Sequence, residues 1–171
     1  MSGTVVVAGG GDAAYYALDA DTGERLWRVP LVGEPSAFAW ASPLLAHGRV
    51  YYGAASSCDD PSIPGELVAL GLDGSTLAAR RFVPEGDAGA GIWNSPALSP
   101  DGGTLIVATG EDFEGYDGPY NRAIVSLDPL TLAARDPRPL AVISRVSPQP
   151  LPQRLRRHPQ LLGDRLDRRP L

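Results

Sequence analysis

Three imperfect copies of one strand pattern fill the first 140 residues, and this self-similarity constrains the fold more than any single motif does. The first copy reads TVVVAGG and then AYYALDADTGERLW, from Thr4 to Trp27. The second reads WASPLLAHG, RVYYGAAS and GELVALGLDGSTLAAR, from Trp40 to Arg80. The third reads WNSPALSPDGGTLIVATG and RAIVSLDPLTLAAR, from Trp93 to Arg135. Matched positions lie 52 to 57 residues apart, as in Ala17 to Ala69, Trp40 to Trp93 and Ala69 to Ser126. A period of roughly 40–50 residues made of short alternating strands is the signature of propeller blades.

Turn residues punctuate each copy into short strands. In the second copy the strands are expected at 41–45, 49–54, 66–70 and 76–82, with His47-Gly48 and Asp73-Gly74 at the turns. In the third they are expected at 94–98, 104–109, 123–127 and 130–135. The first copy lacks its innermost strand. Unbroken apolar runs such as VVVA and LIVA suit sheets covered on both faces, as stacked blades are. The expected fold is all-β: a partial β-propeller of about three four-stranded antiparallel blades. These blades occupy about 4–37, 38–88 and 89–139, so residues 1–140 form the propeller part.

Composition narrows the function classes. The 20 Gly and 17 Pro fit turn-rich β structure, and one cysteine leaves no internal disulfide and no thiolate metal cluster. No run of 18 apolar residues that could span a membrane occurs, and because Met1-Ser2-Gly3 runs straight into an expected strand, no secretory leader is expected. The net charge of −5 divides unevenly. Residues 1–140 carry 8 Arg against 18 acidic residues, whereas 141–171 carry 7 Arg against 2 Asp. The blades therefore have no basic stripe, which argues against nucleic-acid binding.

Residues Ala17, Asp19, Thr22, Gly23 and Trp27 have the spacing AxDxxTGxxxW. Asp19 and Thr22 can bond turn amides, Gly23 can take a positive-φ corner, and Trp27 can pack on the neighbouring blade. This segment resembles the tryptophan-docking motif of pyrroloquinoline-quinone-type repeats. The later copies keep Leu70 and Asp73-Gly74, then Leu127-Asp128 and Thr131, without the Trp. Gly89-Ala-Gly-Ile-Trp93-Asn94-Ser-Pro-Ala97, the Ala108-Thr-Gly110 and Ile124–Asp128 segments, and the insertion before Gly65 are similar to the poly(vinyl alcohol) dehydrogenase branch of the quinoproteins. Together the likeness covers 4–135.

The resemblance implies a fragment of an eight-bladed ring whose parent is a quinone-dependent alcohol dehydrogenase, periplasmic or secreted, with pyrroloquinoline quinone and calcium as cofactors. The fragment is expected to be inactive alone; the alternative is a non-enzymatic scaffold or ligand-binding propeller. The resemblance also places Trp93 and Asn94 at the cofactor and Glu111 and Asp112 at the metal. Calcium takes six to eight hard oxygen ligands, and Glu114 and Asp117 add to the same acidic loop. Two features depart from the family. The adjacent-cysteine pair of the dehydrogenases is missing, with Cys58 standing alone, and Glu111 stands where many relatives have Asn. Trp93 has a second reading as filler of a channel end or blade interface, and the acidic loop has one as a solvated hairpin tip. Asp59 and Asp60 read as turn carboxylates, and neither His47 nor His158 receives a catalytic role.

After Arg135 the pattern stops. Residues 141–171 contain seven Arg and five Pro but no aromatic residue, a composition that cannot offset its ordering entropy. This tail is expected to be disordered or out of frame. Reading Gln153–Pro159 one base later allows Ser-Asp-Phe-Gly-Ala-Thr-Pro, which has the form of a next blade's inner strand in the family. A frame change between Arg135 and Pro152 is the corresponding expectation. An arc of blades also leaves open sheet edges, which template self-association.

Overall fold

A computed structural model describes residues 4–9, 12–33, 35–56, 61–110, 118–135 and 141–142. All regular elements among them are strands: β1 (Thr4–Ala8), β2 (Ala14–Asp19), β3 (Arg25–Pro30), β4 (Ala37–Phe38), β5 (Leu44–Ala46), β6 (Arg49–Ser56), β7 (Glu66–Gly71), β8 (Thr76–Arg81), β9 (Ala97–Leu98), β10 (Leu105–Ala108), β11 (Ala123–Leu127) and β12 (Ala141–Val142). They form three antiparallel sheets. The first runs β1-β2-β3 and the third β9-β10-β11-β12. In the second, β4 and β5 both pair with β6, followed by β7 and β8. Its inner strand is thus split in two, with Trp40 in the break.

The repeat is visible in the irregularities as well as in the strands. β2 shifts register against β3 between Ala17 and Leu18, and β7 shifts against β8 between Ala69 and Leu70. These bulges fall at matched positions. They leave Leu26 and Leu77 as the extra residues, and both side chains point into solvent at 51% and 47% exposure. The β5–β6 hairpin closes through His47 and Gly48, both at positive φ, as a two-residue turn compatible with strand twist requires.

Two clusters of buried side chains hold the sheets face to face. Val50, Tyr52, Val68 and Leu70 pack with Tyr15 and Leu31 on the side of the first sheet. The alternate residues Tyr51, Leu67 and Ala69 pack with Leu105, Val107, Val125 and Leu127 of the third. Strands β6 and β7 are therefore covered on both faces, which is why their sequences are apolar without alternation.

Turns from one sheet dock on the next. The Trp27 indole Nε1–H donates to the Leu72 carbonyl at 2.9 Å. A Cβ on Gly74 would lie 2.8 Å from that indole, so the turn meets the ring without a side chain between them. Between the second and third sheets the Tyr51 hydroxyl donates to the Pro129 carbonyl at 2.9 Å, and the Arg49 guanidinium to Leu130 at 2.8 Å.

The third copy departs from the expected layout at its outer strand. Residues 130–135 form a turn with a single bridge, Leu127 to Ala134, instead of a strand. The fourth position of the sheet is taken by β12, which pairs with Ala123 and Ile124 just past residue 140. The reason is local. Thr-Leu-Ala-Ala-Arg occurs at 76–80 and again at 131–135, but seven residues separate Ala69 from Thr76 and only five separate Ser126 from Thr131. Asp128 Oδ1 therefore accepts the Thr131 amide and hydroxyl at 2.9 and 3.0 Å, as Asp19 accepts those of Thr22 at 2.9 and 3.1 Å. Leu132, at φ 58°, falls where the first copy has Gly23 at φ 73°.

Candidate functional site

The two segments with the pattern Trp-x-Ser-Pro, Trp40–Pro43 and Trp93–Pro96, each lead into an inner strand, β5 and β9. They lie side by side. Ser95 Oγ accepts the Ser42 amide at 3.0 Å, which fixes their relative height. The Trp40 and Trp93 rings lie 5.3 Å apart, centroid to centroid, tilted by 33°, and the Phe38 ring lies 4.6 Å from that of Trp40. Both indoles face solvent, Trp40 at 45% and Trp93 at 36% exposure. A half-exposed indole offers an apolar ring face of the kind on which planar rings stack.

Backbone packing builds the floor under Trp93. The segment ending at Trp93 runs between the second and third sheets, with the Ile92 amide donating to Ala54 at 3.0 Å and the Gly110 amide to Gly91 at 2.7 Å. Gly65 donates to Gly89 at 2.7 Å on the same run. A Cβ on Gly110 would lie 2.8 Å from Trp93 Nε1, so the indole edge rests directly on the end of the β10 segment.

Asn94 is drawn into the same framework. Its Oδ1 accepts the Ala108 amide at 3.1 Å and its Nδ2 donates to the Ser95 carbonyl at 3.0 Å. β9 pairs only with Leu105 and Ile106, so the Asn94 side chain supplies the bond that the short strand cannot make to Ala108. On the other side of this segment, buried Thr109 accepts the Ala123 amide at 3.1 Å and donates to the Tyr120 carbonyl.

Of the residues singled out in the sequence, Trp93 and Asn94 come together here, with Gly110 against the Trp93 ring. Glu111, Asp112, Glu114 and Asp117, which follow Gly110 in the chain, lie outside the described residues, as do Cys58, Asp59, Asp60 and His158. Among the described residues no three His, Cys, Asp or Glu side chains converge as a metal site. His47 lies away from the tryptophans, its Nε2 within 3.0 Å of the Gly102 carbonyl of the adjacent turn. No helix among the described residues is long and apolar enough to cross a membrane. Sequence reasoning missed Trp40, which it used only as a marker of the repeat. The signal was present, because two Trp-x-Ser-Pro segments one repeat apart must lie on adjacent blades.

No protein-family model matches the chain. A polyvinylalcohol dehydrogenase of a Pseudomonas species is 23% identical, covering 67% of this chain and 22% of its own length. Among solved structures, quinohemoprotein alcohol dehydrogenase ADHIIG from Pseudomonas putida HK5 is similar with a TM-score of 0.67 at 20% identity, over 77% of this chain and 24% of that one. A europium-containing methanol dehydrogenase has a TM-score of 0.64 at 16% identity, over 79% and 30%. BamB from Moraxella catarrhalis has a TM-score of 0.53 at 22% identity, over 78% and 37%. The shared feature is the fold, the β-propeller of the quinoprotein dehydrogenases, and the chain spans 22% of its curated relative.

Proposed function

We propose that the chain is a segment of a quinone-dependent alcohol dehydrogenase of the propeller type, with the exposed face of Trp93 as the platform for pyrroloquinoline quinone. The observation that carries this reading is the half-exposed Trp93 ring on its glycine floor, in a chain with the quinoprotein fold. The site fits a planar group, because the Trp93 indole lies over the Gly110 backbone and is half-exposed. A bound quinone would supply the hydride-accepting carbonyl chemistry.

The work of this chain's residues is binding and orientation. Trp93 offers a stacking surface and keeps water from that side. Asn94, through Ala108, holds the segment below it. Glu111 and Asp112, next in the chain after Gly110, carry hard oxygen donors of the type calcium takes. We assign the isolated chain no turnover of its own, since it spans 22% of its curated relative and a propeller site draws on the whole ring.

The missing adjacent cysteines favour a second reading, a non-enzymatic scaffold or ligand-binding propeller. One titration separates the two. The chain with calcium is titrated with pyrroloquinoline quinone and followed by absorbance. A saturable, stoichiometric absorbance change that Trp93→Leu removes supports the first reading. Absence of saturable binding refutes it and leaves the scaffold.

A further inference from the structure

We propose that Trp40 is a positioning residue that sets the plane of Trp93 for a stacked ring; this rests on the quinone reading of Trp93. The two indoles differ in how they are held. The Trp40 Nε1–H donates to the Ser56 carbonyl at 2.9 Å, and the Phe38 ring packs against it at 4.6 Å. Trp93 Nε1 has no hydrogen-bond partner among the described residues, and its edge lies over the backbone of Gly110 and Gly91. Torsion about the bond to an aromatic ring is broad and roughly two-fold, so nothing intrinsic to Trp93 selects its plane.

What selects that plane is the neighbouring ring. Trp40 lies against Trp93 at 5.3 Å and reaches it from the adjacent sheet, across the Ser42–Ser95 bond. An anchored indole thus immobilises an unanchored one before any ligand arrives. Immobilising one rotamer-rich side chain on binding weakens affinity by about three- to tenfold. Removing Trp40 moves that cost into the binding step. Trp40 itself need not touch the ligand.

The test uses the full chain with calcium and pyrroloquinoline quinone, in wild type, Trp40→Leu, Trp40→Phe and Trp93→Leu. Affinity is read from quinone absorbance, ring geometry from the exciton couplet of the paired indoles in circular dichroism, and folding from the thermal transition. In Trp40→Leu the couplet should vanish and the quinone affinity should fall about three- to tenfold, with little change in the transition. Trp40→Phe, which keeps an aromatic face against Trp93, should recover most of the affinity without the couplet. Wild-type affinity in Trp40→Leu, alongside lost binding in Trp93→Leu, overturns the role of Trp40 and leaves the quinone reading intact. Unchanged binding in Trp93→Leu, or none in wild type, overturns the quinone reading and this inference with it.

Discussion

Gly65→Ala should be among the most damaging single-methyl additions to this chain, for a purely steric reason. Gly65 opens β7 where the segment leading to Trp93 crosses the second sheet. A Cβ there would sit 1.9 Å from the Ala90 carbonyl oxygen and 2.4 Å from its carbon. That is about half the optimal separation of non-bonded heavy atoms, roughly 3.5–4.0 Å. The contacted atoms are backbone, and Ala90 is buried, so no side chain can swing aside. The crossing must open, straining the Gly65–Gly89 bond at 2.7 Å and the Phe82–Gly65 bond at 3.1 Å. Two bonds at about 1 kcal/mol each and an overpacking cost of about 1–3 kcal/mol give about 3–5 kcal/mol. In a chain of this size that corresponds to a melting temperature lower by about 6–20 °C. The assay is urea unfolding at low micromolar concentration, followed by tryptophan fluorescence. Gly86→Ala is the control, because Gly86 has φ 90° and no atom within 4 Å of its would-be Cβ. It should cost about 1 kcal/mol from backbone conformation alone. If Gly65→Ala proves no more costly than Gly86→Ala, the close crossing is not present in solution and the floor under Trp93 is wrong.

Tyr51→Phe should cost about 1–2 kcal/mol in the same assay, because it removes only the hydroxyl bonded to the Pro129 carbonyl and leaves that acceptor unpaired between two sheets. Asp19 and Asp128 should titrate below the ordinary carboxylate range by nuclear magnetic resonance, since the amides of Thr22 and Thr131 favour their charged forms. Their contribution to stability is therefore complete above the unfolded carboxylate value and lost as pH falls through the depressed folded one. Asp128→Asn should flatten that acid limb, and midpoints at the ordinary value would remove its basis. The chain should also self-associate through its open strand edges, seen as concentration-dependent sedimentation; a single monomeric species at all concentrations would contradict this.

Much of the architecture was legible because the physics that set it was local. Asp19, Thr22 and Gly23 satisfy one turn by themselves, so spacing alone located it, and unbroken apolar runs within the strands announced sheets covered on both faces, as β6 and β7 are. The outer strand of the third copy was misread because an identical pentapeptide stood for a strand. Thr131 is captured by Asp128 two positions earlier in the repeat than Thr76, and the capture takes the segment out of the ladder. The packing of Trp93 against Trp40 was not drawn from the sequence. That contact joins residues 53 apart, and its signal, the Trp-x-Ser-Pro pattern repeated at 40–43 and 93–96, gains its meaning once the two copies are paired as neighbouring sheets.

The loss of tryptophan from the second copy looks like the loss of a docking element, yet the docking persists. Leu72 and Pro129 occupy the same repeat position, three residues after Ala69 and Ser126, and each offers its carbonyl to the preceding sheet. Trp27 reaches the first acceptor from the outer strand β3. Tyr51 reaches the second from β6, nearer the centre of its sheet. The acceptor is fixed by the turn backbone, whereas the donor is free to come from any strand whose side chain spans the gap. Repeat sequences can therefore drift at the donor without loosening the stack, provided the turn still aims its carbonyl at the neighbour. On this view the turn at 128–132, including the left-handed Leu132, is under tighter structural demand than the aromatic residue that gives the repeat its recognisable signature.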